Sequence, residues 1–266
     1  MLTRTQITCP SGHLRRWLAL ALALALPGTA QAGGTRTFRV ADFDDFDNGE
    51  AEGAAIEASG KVTPGLVPSR AEVPGASAFS CLADASDGKQ AFVGTADAAT
   101  IQRVSVGGKP GKDGKAAPKV ELRVALKGAV VSAMAQLPGG DLLAATLPGG
   151  VIYRVDGKGK ISNFAELKVE QIWAIVPHQG RLLVATGPKG ELFSLNNDGK
   201  DTKVLLDSDE KDILSVLTIG KDIVVGTSPG AKLLQVGDPV EGVLLQDFTG
   251  DEVRALALTD AGLVAA

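Results

Sequence analysis

The sequence predicts an all-β fold, a β-propeller with four-stranded antiparallel blades of about 40 residues each. Three observations support this. Short apolar or β-branched runs alternate with Gly, Pro, Asn and Asp, as consecutive strands and tight turns do. A small residue followed by threonine ends one run in each repeat, and these threonines recur at separations of 51, 40 and 41 residues. A four-residue phrase precedes each threonine.

The stretch 172–206 shows one complete repeat. It holds four short runs bounded by turn formers, at 172–175, 181–186, 191–195 and 203–206. Runs of this length are typical of strands. Turns at Asp156-Gly157 and Asp198-Gly199 are expected to join third to fourth strands. Between second and third strands, we expect Pro148 and Pro188 to fix φ and Gly150 and Gly190 to take a positive φ.

The recurring phrase consists of an apolar, a variable, a small and an apolar residue, and we assign it to the innermost strand of each blade. Its small residues are Cys81, Ala133, Ala174, Ser215 and Ala255. Innermost strands crowd towards the propeller axis, where small side chains leave room for neighbouring backbones. Its variable residues are Ser80, Ser132, Trp173, Leu214 and Arg254.

Three regions follow from this pattern. Residues 1–32 are predicted to be a signal peptide, 33–75 an irregular N-terminal segment with possible strands at 37–40, 54–58 and 61–63, and 76–266 four complete blades and a partial fifth. The pattern stops inside a strand, so we expect the propeller to be incomplete at the C-terminus, with later blades beyond Ala266. The alternative is that 37–62 supplies the missing outer strands.

The first blade also carries a Gly-, Pro- and Lys-rich insertion at 107–119, expected to be a solvated hairpin extension.

The leader combines basic residues with Trp17 to Leu26 as an apolar run and Ala30-Gln31-Ala32 as a cleavage pattern. Ten apolar residues are too few to span a bilayer. The sequence therefore predicts a periplasmic or secreted protein whose mature chain is not inserted in a membrane. Arg15-Arg16 faintly resembles a twin-arginine signal, but its flanking residues favour the general secretory route.

The net charge and the cysteine content exclude two features, a nucleic-acid partner and an internal disulfide. Without residues 1–32 the chain has 24 basic and 31 acidic side chains, or about −7. An acidic protein repels phosphate backbones, so nucleic acid is not expected as a partner. Cys81 is the sole mature cysteine, which excludes an internal disulfide.

At 182–193, Leu-Leu-Val-Ala-Thr-Gly-Pro-Lys-Gly-Glu-Leu-Phe, the chain resembles bacterial secreted β-propeller repeat proteins, including the WD40-like repeats and the repeats of two-component-regulator propellers. The resemblance covers about 79–266. It implies a ligand-sensing or scaffolding role outside the cytoplasm, without naming the ligand.

No catalytic constellation is evident. The variable positions carry no carboxylate for calcium, and His178 is the sole mature histidine, so neither a zinc site nor a Ser-His-acid triad is predicted. We expect no metal and no cofactor. The acidic run 42–50 does not match a calcium loop and is expected to be a solvated loop.

The predicted function is a non-enzymatic exported propeller that binds a protein or small-molecule ligand on one face of the ring. Its candidate ligand-binding residues are Trp173, Arg254 and Ser132, of which Trp173 and Arg254 suit an anionic or carbohydrate-like ligand. The alternative for Trp173 is packing between blades. The alternative function is a lactonase-like propeller hydrolase or lyase whose catalytic residues lie beyond Ala266, and a third is a structural spacer.

Overall fold

The computed structural model describes residues 53–65, 73, 79–84, 90–96, 98–105, 119–237 and 240–266. The chain divides into two units, Met1–Val67 and Pro68–Ala266. The predicted signal peptide, the possible strand at 37–40, the acidic run 42–50 and nearly all of the insertion 107–119 lie outside the described residues.

In the first unit the described residues form one hairpin. Strand β1 (Ala54–Ile56) pairs antiparallel with β2 (Val62–Pro64), with Ile56 opposite Val62. Gly60 supplies a φ of 77° in the turn, a value that glycine adopts without a steric penalty. The described residues of the possible strands at 54–58 and 61–63 thus pair with each other as one hairpin.

The described residues of the second unit form four four-stranded antiparallel sheets and one two-stranded sheet. Sheet 1 consists of β3 (Phe79–Asp84), β4 (Gln90–Thr95), β5 (Thr100–Ser105) and β6 (Lys119–Ala125). Sheet 2 consists of β7 (Val130–Gln136), β8 (Leu142–Leu147), β9 (Val151–Val155) and β10 (Ile161–Glu166). Sheet 3 consists of β11 (Gln171–His178), β12 (Arg181–Gly187), β13 (Glu191–Asn196) and β14 (Lys203–Asp207).

Sheet 4 consists of β15 (Asp212–Ile219), β16 (Asp222–Ser228), β17 (Lys232–Val236) and β18 (Gly242–Asp247). Sheet 5 consists of β19 (Leu256–Thr259) and β20 (Gly262–Ala265). In every sheet the strands pair in chain order, so each is a simple meander. The first strands contact one another in succession, from β3 through β7, β11 and β15 to β19. This radial succession of meanders is the predicted β-propeller.

The hydrophobic core lies between neighbouring sheets. One cluster joins sheets 1 and 2, a second joins sheets 2 and 3, and a third joins sheets 3 and 4. In the third, Leu206 of β14 is fully buried together with Ile213 of β15. Burying one such side chain contributes roughly 1.5–3 kcal/mol. By contrast, all residues of β18 are exposed, and sheet 5 has two strands where the others have four.

Three small residues of the recurring phrase, Ala133, Ala174 and Ser215, contact the next sheet. Ala133 belongs to the cluster between sheets 2 and 3, and Ala174 packs against the cluster between sheets 3 and 4. Ser215 is buried, and its Oγ donates a hydrogen bond to the carbonyl oxygen of Val253 at 3.0 Å. A larger side chain at these positions would push neighbouring sheets apart.

The turns between second and third strands differ from the prediction in one detail. Gly190 has the expected positive φ, at 62°, but in sheet 2 the positive φ falls on Gly149 at 112° and not on Gly150. Gly150 is needed for a different reason, because a Cβ there would overlap the carbonyl oxygen of Leu167. In sheet 4 a non-glycine residue, Ala231, takes the positive φ at 44°.

Candidate binding face

The loops between sheets lie at the same end of the molecule as the turns between second and third strands. Backbone hydrogen bonds join the two kinds of segment: Gly149 N–H donates to Glu170 O at 2.8 Å, and Lys211 N–H to Ser228 O at 3.1 Å. We call this end the top face. In sheets 2 to 4 it comprises residues 148–150, 167–171, 188–190, 208–212 and 229–231. The innermost strands β11 and β15 begin there, at Gln171 and Asp212.

The variable residues of the recurring phrase occupy β-bulges. The pairing of first with second strands shifts by one residue at the same place in sheets 1 to 4, and the residues left over are Ser80, Ser132, Trp173 and Leu214. In sheet 5 the amides of Arg254 and Ala255 both donate to the carbonyl oxygen of Ala266, at 2.8 and 3.0 Å, which is the bonding pattern of a bulge.

The bulge has a simple cause in the sequence. The apolar residue before it is buried and stays in register with the threonine of the second strand, as Ile172 does with Thr186. The small residue after the bulge pairs with the next residue of the second strand, so Ala174 lies opposite Ala185. The residue between has no partner across the ladder. Because bulges re-aim a side chain, its chemistry is free to vary without disturbing the core.

The paired threonines have a structural role at the top face. They are buried in all four sheets: Thr95, Thr146, Thr186 and Thr227. Thr186 Oγ1 donates to Glu191 O at 2.8 Å, and Thr227 Oγ1 accepts from the amide of Lys232 at 3.1 Å. In sheets 1, 3 and 4 the hydroxyl therefore holds the turn that follows its strand, whereas Thr146 Oγ1 donates to Lys127 O at 2.9 Å, in the segment before sheet 2.

Trp173 is the largest bulge residue, and it is partly exposed. Its indole Nε1–H donates a hydrogen bond to Oδ1 of Asp212 at 2.8 Å. Asp212 is the first residue of β15, so this bond links sheet 3 to sheet 4. Trp173 therefore joins two neighbouring sheets through a polar contact at the top face.

The backbone of Gly187 lies against the two atoms of this hydrogen bond. It ends β12, opposite Gln171, and is buried. A Cβ at Gly187 would overlap Asp212 Oδ1 and would lie 2.8 Å from Gln171 Oε1 and 2.9 Å from Trp173 Nε1. The three polar groups therefore converge on one point, and only glycine leaves them the space.

The other two predicted residues have different surroundings. Arg254 is 71% exposed, and its Nε lies 2.9 Å from Oε1 of Glu252. Ser132 is partly buried, and among the described residues its Oγ has no hydrogen-bond partner. In the neighbouring sheet, Ser80 Oγ donates to Val131 O at 2.5 Å. The structure places all three predicted residues at equivalent bulges, and it brings Trp173 together with Asp212 rather than with Arg254.

The sequence reading missed Gln171, Gly187 and Asp212. A usable signal existed, because Gln171, Asp212 and Glu252 all stand immediately before the recurring phrase. Polar residues at that position repeat in sheets 3 to 5, whereas sheet 2 has Val130. The polar side of the top face therefore belongs to sheets 3 to 5.

A cavity of about 470 Å³ opens between sheets 3 and 4. It is lined by Asp207, Ser208, Asp209, Glu210, Lys232, Leu234, Glu241, Gly242 and Leu244. Glu210 Oε1 lies 2.7 Å from Lys232 Nζ, and Gly230 N–H donates to Glu210 Oε2 at 2.8 Å. The Lys232 ammonium, helped by this amide, lowers the pKa of Glu210, and Glu210 in turn raises the pKa of Lys232.

Among the described residues, no three His, Cys, Asp or Glu side chains are grouped so that they could hold a metal ion. The same part of the chain contains no helix of the length and apolar character needed to cross a membrane.

The fold and its bulges define a β-propeller, and solved propellers match it. The chain is similar to the C-terminal WD40 domain of Sif2, with a TM-score of 0.53, 15% identity and coverage of 80% of this chain and 59% of that one. It is also similar to virginiamycin B lyase from Staphylococcus aureus, with a TM-score of 0.51, 18% identity and coverage of 73% and 62%. The β-propeller domain of Cps50 (Swd1) from Myceliophteria thermophila matches with a TM-score of 0.52, 14% identity and coverage of 71% and 62%.

This chain therefore spans less than two thirds of each of these three structures. No protein-family profile matches the chain, and no curated protein matches it. At such identities the likeness concerns the fold alone. The WD40-like propeller prediction is confirmed, whereas its bacterial and secreted character stays a prediction.

Proposed function

We propose that this chain is an exported, non-enzymatic β-propeller that binds a protein or small-molecule partner through its top face. One observation carries the proposal. Successive innermost strands present chemically different side chains at the same bulge, from Ser132 through Trp173 to Arg254, on a backbone that is otherwise repeated. A constant scaffold that displays variable side chains at one geometric position is suited to recognition.

The expected setting of this function rests on the sequence. The signal peptide pattern in 1–32 supports a periplasmic or secreted location, and the acidic balance argues against nucleic acid as the partner. The WD40 domains among the matched structures are consistent with a scaffold role, since propellers of that kind commonly bind proteins.

A second candidate is a propeller lyase or hydrolase, including a lactonase-like enzyme. It is favoured by the match to virginiamycin B lyase and to a second structure described as a streptogramin B lyase, with a TM-score of 0.51 and 16% identity. The support is one of fold only. On this reading the catalytic groups would come from residues beyond those that form the five sheets.

The test begins with the full chain and two assays run side by side. Peptide and glycan arrays identify ligands, and calorimetry measures their affinity for the unaltered chain, for Trp173→Ala and for Lys158→Ala. Lys158 is exposed in the turn between β9 and β10, at the opposite end of the sheets. A panel of lactones, esters and cyclic depsipeptides is assayed for turnover with the same three proteins.

The proposal expects at least one ligand whose affinity falls by roughly tenfold or more in Trp173→Ala, as loss of an interface aromatic commonly causes, and is unchanged in Lys158→Ala. It expects no turnover. Turnover that Trp173→Ala abolishes would replace it with the enzyme reading. A ligand whose affinity falls only in Lys158→Ala would show that binding occurs at the end opposite the top face and would contradict the proposal.

A further inference from the structure

We propose that the Trp173–Asp212 pair on the top face is a site for an organic cation, either the side chain of a lysine or arginine on a partner or a free amine or guanidine. The inference rests on the proposed binding function and narrows it, because it names the chemistry that the top face recognises. It replaces the anionic or carbohydrate-like ligand that Trp173 and Arg254 suggest from sequence.

The first step concerns charge. Among the described residues, Asp212 forms no ion pair with a basic side chain, and only its Oδ1 has an assigned donor, the indole of Trp173. A carboxylate held at the surface with one oxygen unassigned attracts a cation and repels an anion. The nearest candidate for anion binding, Arg254, is instead paired with Glu252 in its own loop.

The second step concerns the indole. A tryptophan ring attracts cations to its face through its quadrupole, and tryptophan does so more strongly than other aromatic residues. Here the N–H of Trp173 is donated to a carboxylate, which polarises the ring and strengthens the negative potential of that face. The hydrogen bond also fixes the orientation of the ring, so binding costs little additional side-chain conformational entropy.

The third step concerns the hydrogen-bond acceptors grouped over Gly187. Glycine at this position lets Asp212 Oδ1 lie close to the backbone beside Trp173, because a Cβ there would overlap Asp212 Oδ1. Gln171 Oε1 converges on the same point and adds a second acceptor for N–H groups of the ligand. Aromatic face, carboxylate and amide oxygen together match an ammonium or guanidinium group, which has donors and no acceptors.

Trp173 makes the experiment direct. The chain contains two tryptophans, and the other, Trp17, lies in the predicted signal peptide. In the full chain carrying Trp17→Phe, tryptophan fluorescence reports on Trp173 alone. This protein is titrated with hexalysine peptide and with agmatine, which separate a polypeptide source of the cation from a free one, and with hexaglutamate peptide as the opposite charge.

Two variants in the same background give the matched comparison. Asp212→Asn removes the carboxylate charge at the site. Asp209→Asn removes the same charge three positions earlier, on an exposed part of the same loop. If Trp173 and Asp212 form the site, a cation–π contact together with an ion pair predicts affinity about tenfold weaker in Asp212→Asn. Asp209→Asn is expected to leave it within about twofold.

The expected result is a saturable change in Trp173 emission with at least one cationic probe, weakened by Asp212→Asn and not by Asp209→Asn. Equal weakening by both variants would show a diffuse acidic surface and overturn the site. A response to hexaglutamate that Asp212→Asn leaves intact would overturn the cation and leave the top face as a binding surface. No response to any probe would also overturn the cation site, while the array experiment still decides the proposed function.

Discussion

The indole N–H of Trp173 donates to Oδ1 of Asp212 at 2.8 Å across 39 residues of sequence, and this bond joins the innermost strands of two successive sheets. These sheets also meet through apolar packing and, at the opposite end, through a hydrogen bond from Gln179 Nε2 to Gly220 O at 3.2 Å. The Trp173–Asp212 bond therefore adds a directional contact, at the top face, to the apolar packing between these two sheets. The same pair is the centre of the proposed binding site, so a substitution in it is expected to change both the stability of the fold and the affinity for the ligand.

Breaking this bond should lower stability modestly. Trp173→Phe keeps much of the aromatic area and removes the N–H, and Asp212→Asn replaces the carboxylate oxygen that accepts the bond by a weaker, uncharged amide acceptor. We expect each to reduce the free energy of unfolding by about 1 kcal/mol, because the bond involves a charged acceptor but is partly exposed. Urea unfolding of both single variants and the double variant measures the coupling. Strictly additive losses would show that the two side chains do not interact.

Gly187→Ala should lower the stability of the fold considerably, although it adds only one methyl group. The added methyl would overlap Asp212 Oδ1, so the loop before β15 must move or Trp173 must lose its partner. We expect a loss of about 1–3 kcal/mol, as for overpacked sites. Gly157→Ala is the control, since a Cβ there meets nothing within 4 Å. Similar midpoints of thermal unfolding for the two variants would contradict the convergence of polar groups over Gly187.

Ala174→Leu tests the packing of the small-residue positions. Ala174 packs against the apolar cluster between sheets 3 and 4, so a leucine must displace β15 or its own strand. The expected cost is about 1–3 kcal/mol, against less than about 0.5 kcal/mol for Lys158→Ala at the surface. Chemical denaturation compares them. A stable Ala174→Leu variant would show that this position has free space.

Glu210 should make stability fall in acid. Its pKa is lowered from 4.5, with the hydrogen bond from Lys232 as the largest cause, so its contribution is fully present above pH 4.5 and is lost as pH falls through the lower folded value. Glu210→Gln is therefore expected to be destabilising at pH 7 and less destabilising at pH 3, where the unfolded state has already taken up the proton. Glu241→Gln, on the same cavity, serves as control. A loss that is equal at both pH values would contradict the charge pairing.

The strands could be predicted because their information is local. Turn formers bound each run, and the buried threonines at 95, 146, 186 and 227 mark the same point in every sheet. The bulges could not be predicted, since the run Ile172-Trp173-Ala174 looks like a regular strand until its pairing with β12 is known. Trp173 was singled out because it varies from the pattern, whereas Asp212 was missed because its partner lies on another sheet.

The positive φ at Ala231 shows a second limit of the sequence reading. Glycine marks such turns when it is present, but here the turn is also fixed by Thr227, whose hydroxyl accepts from Lys232 N–H at 3.1 Å. Tertiary bonds of this kind can hold a non-glycine residue in the left-handed region. A prediction based on glycine therefore does not locate the residue with positive φ in the turn of sheet 4.

The most direct test of the central claim is site-specific photo-crosslinking in cells that express the full chain. A photoreactive amino acid is placed at position 211, on the top face beside Asp212, or at position 158, at the opposite end of the sheets. Binding through the top face predicts a discrete crosslinked product from position 211 and none from 158. A product from 158 alone would contradict the claim, and no product from either position would contradict a protein partner on the top face.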